Sequence, residues 1–188
     1  GLKHRRLAML WNQVRLMAEI GLIALAMTPV IVTGGIDLSV GSIAGLAAIL
    51  LGIFWSKLGI PLPLAAVMAI AIGLLAGLAN GFIITRFGVP PLIATLATLA
   101  LYRGLAEGFS QSRSVRGYPE SFYILGQGEV LDLPTQVLVL AVAAVLIGLA
   151  LAYTPFGRTV FAIGANETAA RFSSLPVDRV KLAVYGLS

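Results

Sequence analysis

Five stretches without a charged residue dominate the chain. Ile20 to Ile36 runs 17 residues, Leu38 to Ser56 19, Leu58 to Thr85 28, Phe87 to Tyr102 16 and Leu133 to Gly157 25. A helix rises about 1.5 Å per residue, so about 20 apolar residues cross a hydrocarbon layer of about 30 Å. None of the stretches shows the alternation that barrel strands need. The spacing predicts an all-α fold: a polytopic transmembrane helix bundle, one domain over 1–188. Spans are expected near 17–36, 39–56, 62–85, 90–106 and 134–153, with Leu182 to Ser188 opening a sixth. Only 11% of the 188 residues are charged and 59% are hydrophobic, against roughly 25% charged in soluble domains. One soluble core cannot hide that much apolar surface, so the lipid bilayer is the first expected partner.

Several chemistries fall away. There is no Cys, hence no disulfide scaffold, and His4 alone builds neither a zinc site nor a nucleophile–base pair. A P-loop needs Gly-Lys-Ser/Thr, because its amides and Lys cradle phosphates. Here Lys3, Lys57 and Lys181 follow Leu2, Ser56 and Val180. The expectation is a chain that is no enzyme, takes no cofactor and leaves any ATP chemistry to another subunit. The net charge of +5 comes from 13 Lys and Arg in ones and twos, apart from Lys3-His4-Arg5-Arg6; that suits membrane flanks, not nucleic acid. After Arg6 only Leu7 to Trp11 are apolar, too short for a signal peptide. A start at Gly1 and a stop a few residues into a new apolar stretch lead us to expect a chain incomplete at both ends.

Two spans carry small residues at helical spacing, Gly73-Gly77-Gly81 and Gly41-Gly45-Ala48, which let backbones approach closely. That pattern indicates a bundle and no particular activity. The polar connection 103–132 holds Tyr118, Phe122 and Tyr123, rings suited to a membrane interface. The connection 156–181 holds Arg158, Glu167, Arg171, Asp178, Arg179 and Lys181, with a short helix expected over Glu167–Phe172. Asn166 is its expected N-cap, and Ser173, Ser174 and Pro176 close it. Such a helix is either a face for a partner or a solvated connector.

Buried polar groups are few. Asp37 lies in Thr33-Gly34-Gly35-Ile36-Asp37-Leu38-Ser39-Val40-Gly41, a glycine break followed by two good N-cap residues. Asp37 or Ser39 can accept free amides of the next helix; a ligand or gating role is the other reading. Asn80 is expected to bond a neighbouring helix or a solute, and Thr95 and Thr98 to back-bond their own helix.

These residues resemble bacterial sugar ABC-transporter permeases of the ribose/arabinose/xylose group. The string Thr33 to Ser42 carries the likeness first. Asn80-Gly81 with Ile84-Thr85, Pro90 to Leu96, Arg103-Gly104, Phe156-Gly157-Arg158 and Ala162 to Ser173 follow in the family's order. Gly117-Tyr118-Pro119-Glu120-Ser121-Phe122 is similar to the rhamnose branch, less closely to the autoinducer-2 branch. The resemblance implies a permease subunit that moves a monosaccharide or small polyol across the bacterial inner membrane by alternating access. It implies a cytoplasmic ABC ATPase, an extracytoplasmic sugar-binding protein and a second permease, identical or paralogous. Within 155–181, a cytoplasmic coupling loop, Gly164, Asn166, Glu167, Ala169, Ala170 and Arg171 match the family pattern. Gly34, Gly35, Asp37, Ser39, Asn80 and Thr95 would line or shape the path. Ser174-Leu175 replaces the family's usual Gly-Ile, which bears on the turn after the coupling helix.

The rival is an ion-coupled secondary transporter or channel, which needs mid-span acids or bases; a third reading is a non-transporting scaffold. Sidedness brings a conflict. Lys3, Arg5, Arg6, Arg15, Lys57, Arg103, Arg113 and Arg116 fall on one side, and Arg86, Arg158, Arg171, Arg179 and Lys181 on the other. Eight against five puts the coupling loop outside. The family places it inside and 103–132 outside, and that orientation is adopted.

Overall fold

The computed structural model describes residues 2–111, 117–119, 122–123, 128–130 and 133–188. Much of the 103–132 connection, Arg113 and Arg116 included, lies outside the described residues. Eight helices run through them: α1 Leu2–Val32, α2 Val40–Ser56, α3 Leu62–Phe87, α4 Pro91–Ser110, α5 Thr135–Tyr153, α6 Pro155–Ala165, α7 Glu167–Phe172 and α8 Val177–Leu187. The other regular structure is a hairpin of two-residue strands, β1 Glu129–Val130 and β2 Leu133–Pro134, so the all-α expectation holds. Stretches Gln13–Val32, Leu62–Phe87, Pro91–Ser110 and Thr135–Tyr153 are long and apolar enough to cross a membrane.

The helix ends and lengths depart from the expected spans at several points. The first was expected through Ile36, yet α1 stops at Val32. Gly34 takes φ +75°, its amide bonds the Ile31 carbonyl at 2.9 Å, and the Gly35 amide bonds the Val30 carbonyl at 2.9 Å. That pair of bonds around a left-handed glycine is a Schellman stop, open to Gly without a Cβ penalty. Residues 33–39 are therefore a break, and α2 keeps 17 residues, about 25 Å, short of a full crossing. At the other extreme, α4 runs on to Ser110, past the expected span end at 106 and into the expected 103–132 connection. Arg103 and Glu107, four apart and paired at 3.1 Å, support that extra turn.

Helix directions alternate. Trp55, at the end of α2, stacks on Tyr118 with ring centres 4.8 Å apart. Gln136, at the start of α5, donates to Glu19 of α1 at 3.3 Å. The described part of the long connection, the α2–α3 turn and the stretch of α1 around Glu19 thus lie toward one end of the bundle. At the opposite end Ile84 and Ala94 flank the α3–α4 turn and form one buried cluster with Val30, Val160, Ala170, Val177 and Val184. The 155–176 segment sits there. The described part of the long connection and the 155–176 segment thus lie at opposite ends.

The small-residue face of α3 packs as its spacing predicts. A Cβ on Gly77 would collide with the Tyr185 carbonyl, and one on Gly81 would stand 3.0 Å from the Leu182 backbone, so α8 lies backbone-close on α3. Among the described residues the Gly41–Gly45 face behaves otherwise, for a Cβ at either position meets nothing within 4 Å. Outward residues of the spans are mostly apolar: Ile70, Val142, Leu146 and Tyr153 are exposed, and α5 buries none of its residues. Lipid, not water, suits such a surface.

Candidate functional site

The break 33–39 collects buried polar groups from four elements. Asp37, Ser39, Asn80 and Thr95 are all fully buried. Asp37 Oδ1 accepts from the Ser39 amide at 2.8 Å and from the Ser39 hydroxyl at 2.7 Å. Its Oδ2 accepts from the Ser188 hydroxyl at 2.7 Å. Asn80 Nδ2 donates to Ser39 Oγ at 2.7 Å across the α2–α3 boundary. A serine hydroxyl has one proton, and here Asp37 takes it, so Ser39 can only accept from Asn80. That orients the amide and leaves Asn80 Oδ1 buried with no partner among the described residues.

These bonds correct one expectation. Ser39 is the N-cap of α2 but makes no side-chain cap bond, and Asp37 reaches only the amide of Ser39 itself. The carboxylate organises the break instead of capping the helix beyond it. The others stand: Asn80 bonds a neighbouring element, Thr95 back-bonds the Pro91 carbonyl at 2.8 Å and Thr98 the Ala94 carbonyl at 3.1 Å. Thr95 Oγ1 also lies 3.4 Å from the Ile36 carbonyl, bringing α4 to the break. Gly34 makes the left-handed turn. Gly35 lies under Tyr185, where a Cβ would sit 2.5 Å from the phenol oxygen.

The second constellation is charged and peripheral. Asn166 caps α7 as expected, its Oδ1 accepting from the Ala169 amide at 2.9 Å. Glu167 binds Arg171 at 3.0 Å and Lys181 at 2.6 Å, and Arg171 also binds Asp178 at 2.7 Å. These four charges clasp α7 to the first turns of α8. Burial alone would raise the Glu167 carboxyl, but the hydrogen bonds from Lys181 and Arg171 outweigh it and hold it below its ordinary 4.5. The Asp178 hydrogen bond, then that of Glu167, raises Arg171 further. Ala169 faces out, Ala170 turns into the core, and Gly164 abuts the last carbonyls of α1, where a Cβ would collide with the Val32 oxygen.

Ser174 stands in the left-handed region at φ +60°. Its amide bonds the Arg171 carbonyl at 3.0 Å and the Leu175 amide bonds the Ala170 carbonyl at 3.1 Å. Ser174 thus forms a Schellman-type stop without a glycine.

Sequence reading missed α8 as the link between the two constellations. Asp178, Lys181, Tyr185 and Ser188 fall three or four apart on one face. The first two join the clasp and the last two touch the break. It also passed over Phe172, 87% exposed beside the clasp. The available signal was the charge pattern of Asp178 and Lys181, complementary to Arg171 and Glu167.

Comparison with known proteins agrees with this architecture. The family described as branched-chain amino acid transport system / permease component matches residues 9–188. The chain is 40% identical over 174 residues to the autoinducer 2 import system permease protein LsrD of Enterobacter sp. (strain 638), covering 89% of this chain and 53% of that protein. The proteins of that name from Yersinia enterocolitica and Escherichia coli K12 are each 38% identical over 175 residues, covering 90% and 53%. The chain thus spans about half the length of the curated relatives it matches. No solved structure matches it. The likeness to importer permeases drawn from the motifs is borne out, and the chain belongs to the family of transport-system permease components.

Proposed function

We propose that the chain is part of the membrane subunit of an ATP-driven importer that carries a monosaccharide or similar small polyol across the bacterial inner membrane. A separate cytoplasmic ATPase drives it, an extracytoplasmic binding protein delivers the solute, and a second permease completes the path. Autoinducer 2, named for the relatives, is the first solute to try. The segment 155–181 faces the cytoplasm and 103–132 faces out.

One observation supports the reading most: α8 joins an exposed charged clasp at one end to a buried polar break at the other. An ATPase pushing on α7 would tilt α8 through Lys181 and Asp178. The tilt would draw Tyr185 and Ser188 from Gly35 and Asp37 and so loosen the break. Helix–helix contacts in lipid rest on packing and hydrogen bonds, so a shift of a few contacts can exchange two arrangements.

The test is charge reversal at Glu167 and Arg171 in the full-length permease with its neighbours. Loss of ATPase-subunit association and of uptake is expected; both unchanged would sink the docking assignment. The buried Asp37 carboxylate favours a second reading, ion-coupled transport. That reading predicts uptake that collapses with the ion gradient while ATP is held constant.

A further inference from the structure

An ion pair on α4 stands outside both constellations. Arg103 and Glu107 pair on α4 with side chains 73% and 66% exposed. Their depth follows from their neighbours. Tyr102 donates its hydroxyl to the Ala76 carbonyl at 2.9 Å, and Ala76 lies near the middle of α3. Ala106 packs in one cluster with Ala76, Ile43 and Leu46. Arg103 and Glu107 therefore stand close to half-height in a bundle whose other outward faces are apolar. A charge at the centre of a membrane helix costs about 2.5–3.5 kcal/mol on insertion scales, and such groups face a bundle interior or a water-filled cavity.

A cavity of about 330 Å³ adjoins Arg103, with Leu38, Gly41, Ser42, Gly45, Leu99 and Ala106 as its other lining, and Glu107 is tied to it through the 3.1 Å pair with Arg103. It begins beside the break, since Leu38 belongs to it. Its volume falls at the low end of small-ligand sites, ~300–1,000 Å³. The larger groove, about 820 Å³ between α1, α2, α3 and the end of α8, has Ser188 as its single polar side chain and offers a polyol little to bond.

We propose that Arg103 and Glu107 form a solute-contacting station on the wall of a water-filled path, where they bind the hydroxyl groups of a small polyol. A guanidinium presents parallel N–H donors and a carboxylate accepts from two hydroxyls, a match for a vicinal diol. This inference rests on the permease reading above.

The test uses the full-length permease with its ATPase in membranes, carrying single cysteines at Leu99, Gly45 and, as a lipid-facing control, Val142. A water-soluble cationic methanethiosulfonate should modify Leu99→Cys and Gly45→Cys and spare Val142→Cys, which only a lipid-soluble maleimide should reach. In uptake assays with D-ribose and L-rhamnose as probes, Arg103→Gln should raise the half-saturating concentration about tenfold or more, with Arg103→Lys in between and ATPase association retained. Labelling of Leu99→Cys and Gly45→Cys by the lipid-soluble reagent alone, or uptake indifferent to Arg103→Gln, overturns the station. Absence of ATP-driven uptake by the unaltered complex counts against the permease reading instead, and the labelling then judges the water-filled wall by itself.

Discussion

Single residues decide how closely this backbone can fold on itself. Gly77 is the sharpest case, because its missing Cβ is the space the Tyr185 carbonyl occupies. Gly77→Ala should destabilise by about 1–3 kcal/mol, the usual cost of overpacking. Gly45→Ala, which meets nothing within 4 Å, should leave folding within about 0.5 kcal/mol. Thermal unfolding in detergent separates the two; equal effects would contradict the packing described. Ser174 presents the opposite case. A non-glycine residue in the left-handed region costs roughly 1–2 kcal/mol, so Ser174→Gly should stabilise by about 1 kcal/mol and raise the melting temperature. A fall would show that the Ser174 side chain does something no bond in this structure accounts for.

At the scale of elements, α8 carries the account. Its clasp to α7 joins two half-exposed pairs of Arg171, with Glu167 and Asp178, to a less exposed Lys181–Glu167 pair; exposed pairs are each worth about 0.2–1 kcal/mol, so the role of the Arg171 pairs is alignment more than stability. Glu167→Lys and Lys181→Glu should each weaken coupling of ATP hydrolysis to uptake, and the double exchange should recover part of the loss in a double-mutant cycle, short of full restoration because Lys at 167 would face Arg171. Additive losses would contradict a direct link. Acid sets a second check. A carboxyl held low on folding stabilises fully above its unfolded value, near 4.5 for Glu167, and loses that as pH falls through its folded value. Coupling that depends on the clasp should be flat from about pH 6 to 8 and fail only below the carboxylate range; loss near pH 7 would implicate another group.

The elements also show what could be read beforehand. Long charge-free runs and small-residue spacing carried the bundle, the Gly73–Gly81 face and the capped α7, because those features are local and periodic. The break motif brought out Gly34, Asp37 and Ser39, and polar residues within apolar spans brought out Asn80 and Thr95. Their convergence depends on α3 and α4 crossing residues 40 to 60 positions away in sequence, which no local pattern encodes. The role of α8 was hidden for the same reason: seven residues at the chain's end looked like the start of a span. The α4 span was expected to end near 106 because charge was taken as the start of a connection, whereas Arg103 pairs with Glu107 and the helix runs on to Ser110.

For the whole molecule the central issue is sidedness. Alternating helix directions put 155–176 at one end and the α2–α3 turn, with Lys57 and Leu58, at the other. The distribution of Lys and Arg argues for one orientation and the family likeness for the other, and the proposed drive from an ATPase works only if α7 meets the cytoplasm. Phe172 and Leu58 are both exposed, at opposite ends. In intact cells expressing the full-length permease, a membrane-impermeant thiol reagent should modify Leu58→Cys at once and reach Phe172→Cys only after permeabilisation. Modification of Phe172→Cys in intact cells would contradict the account.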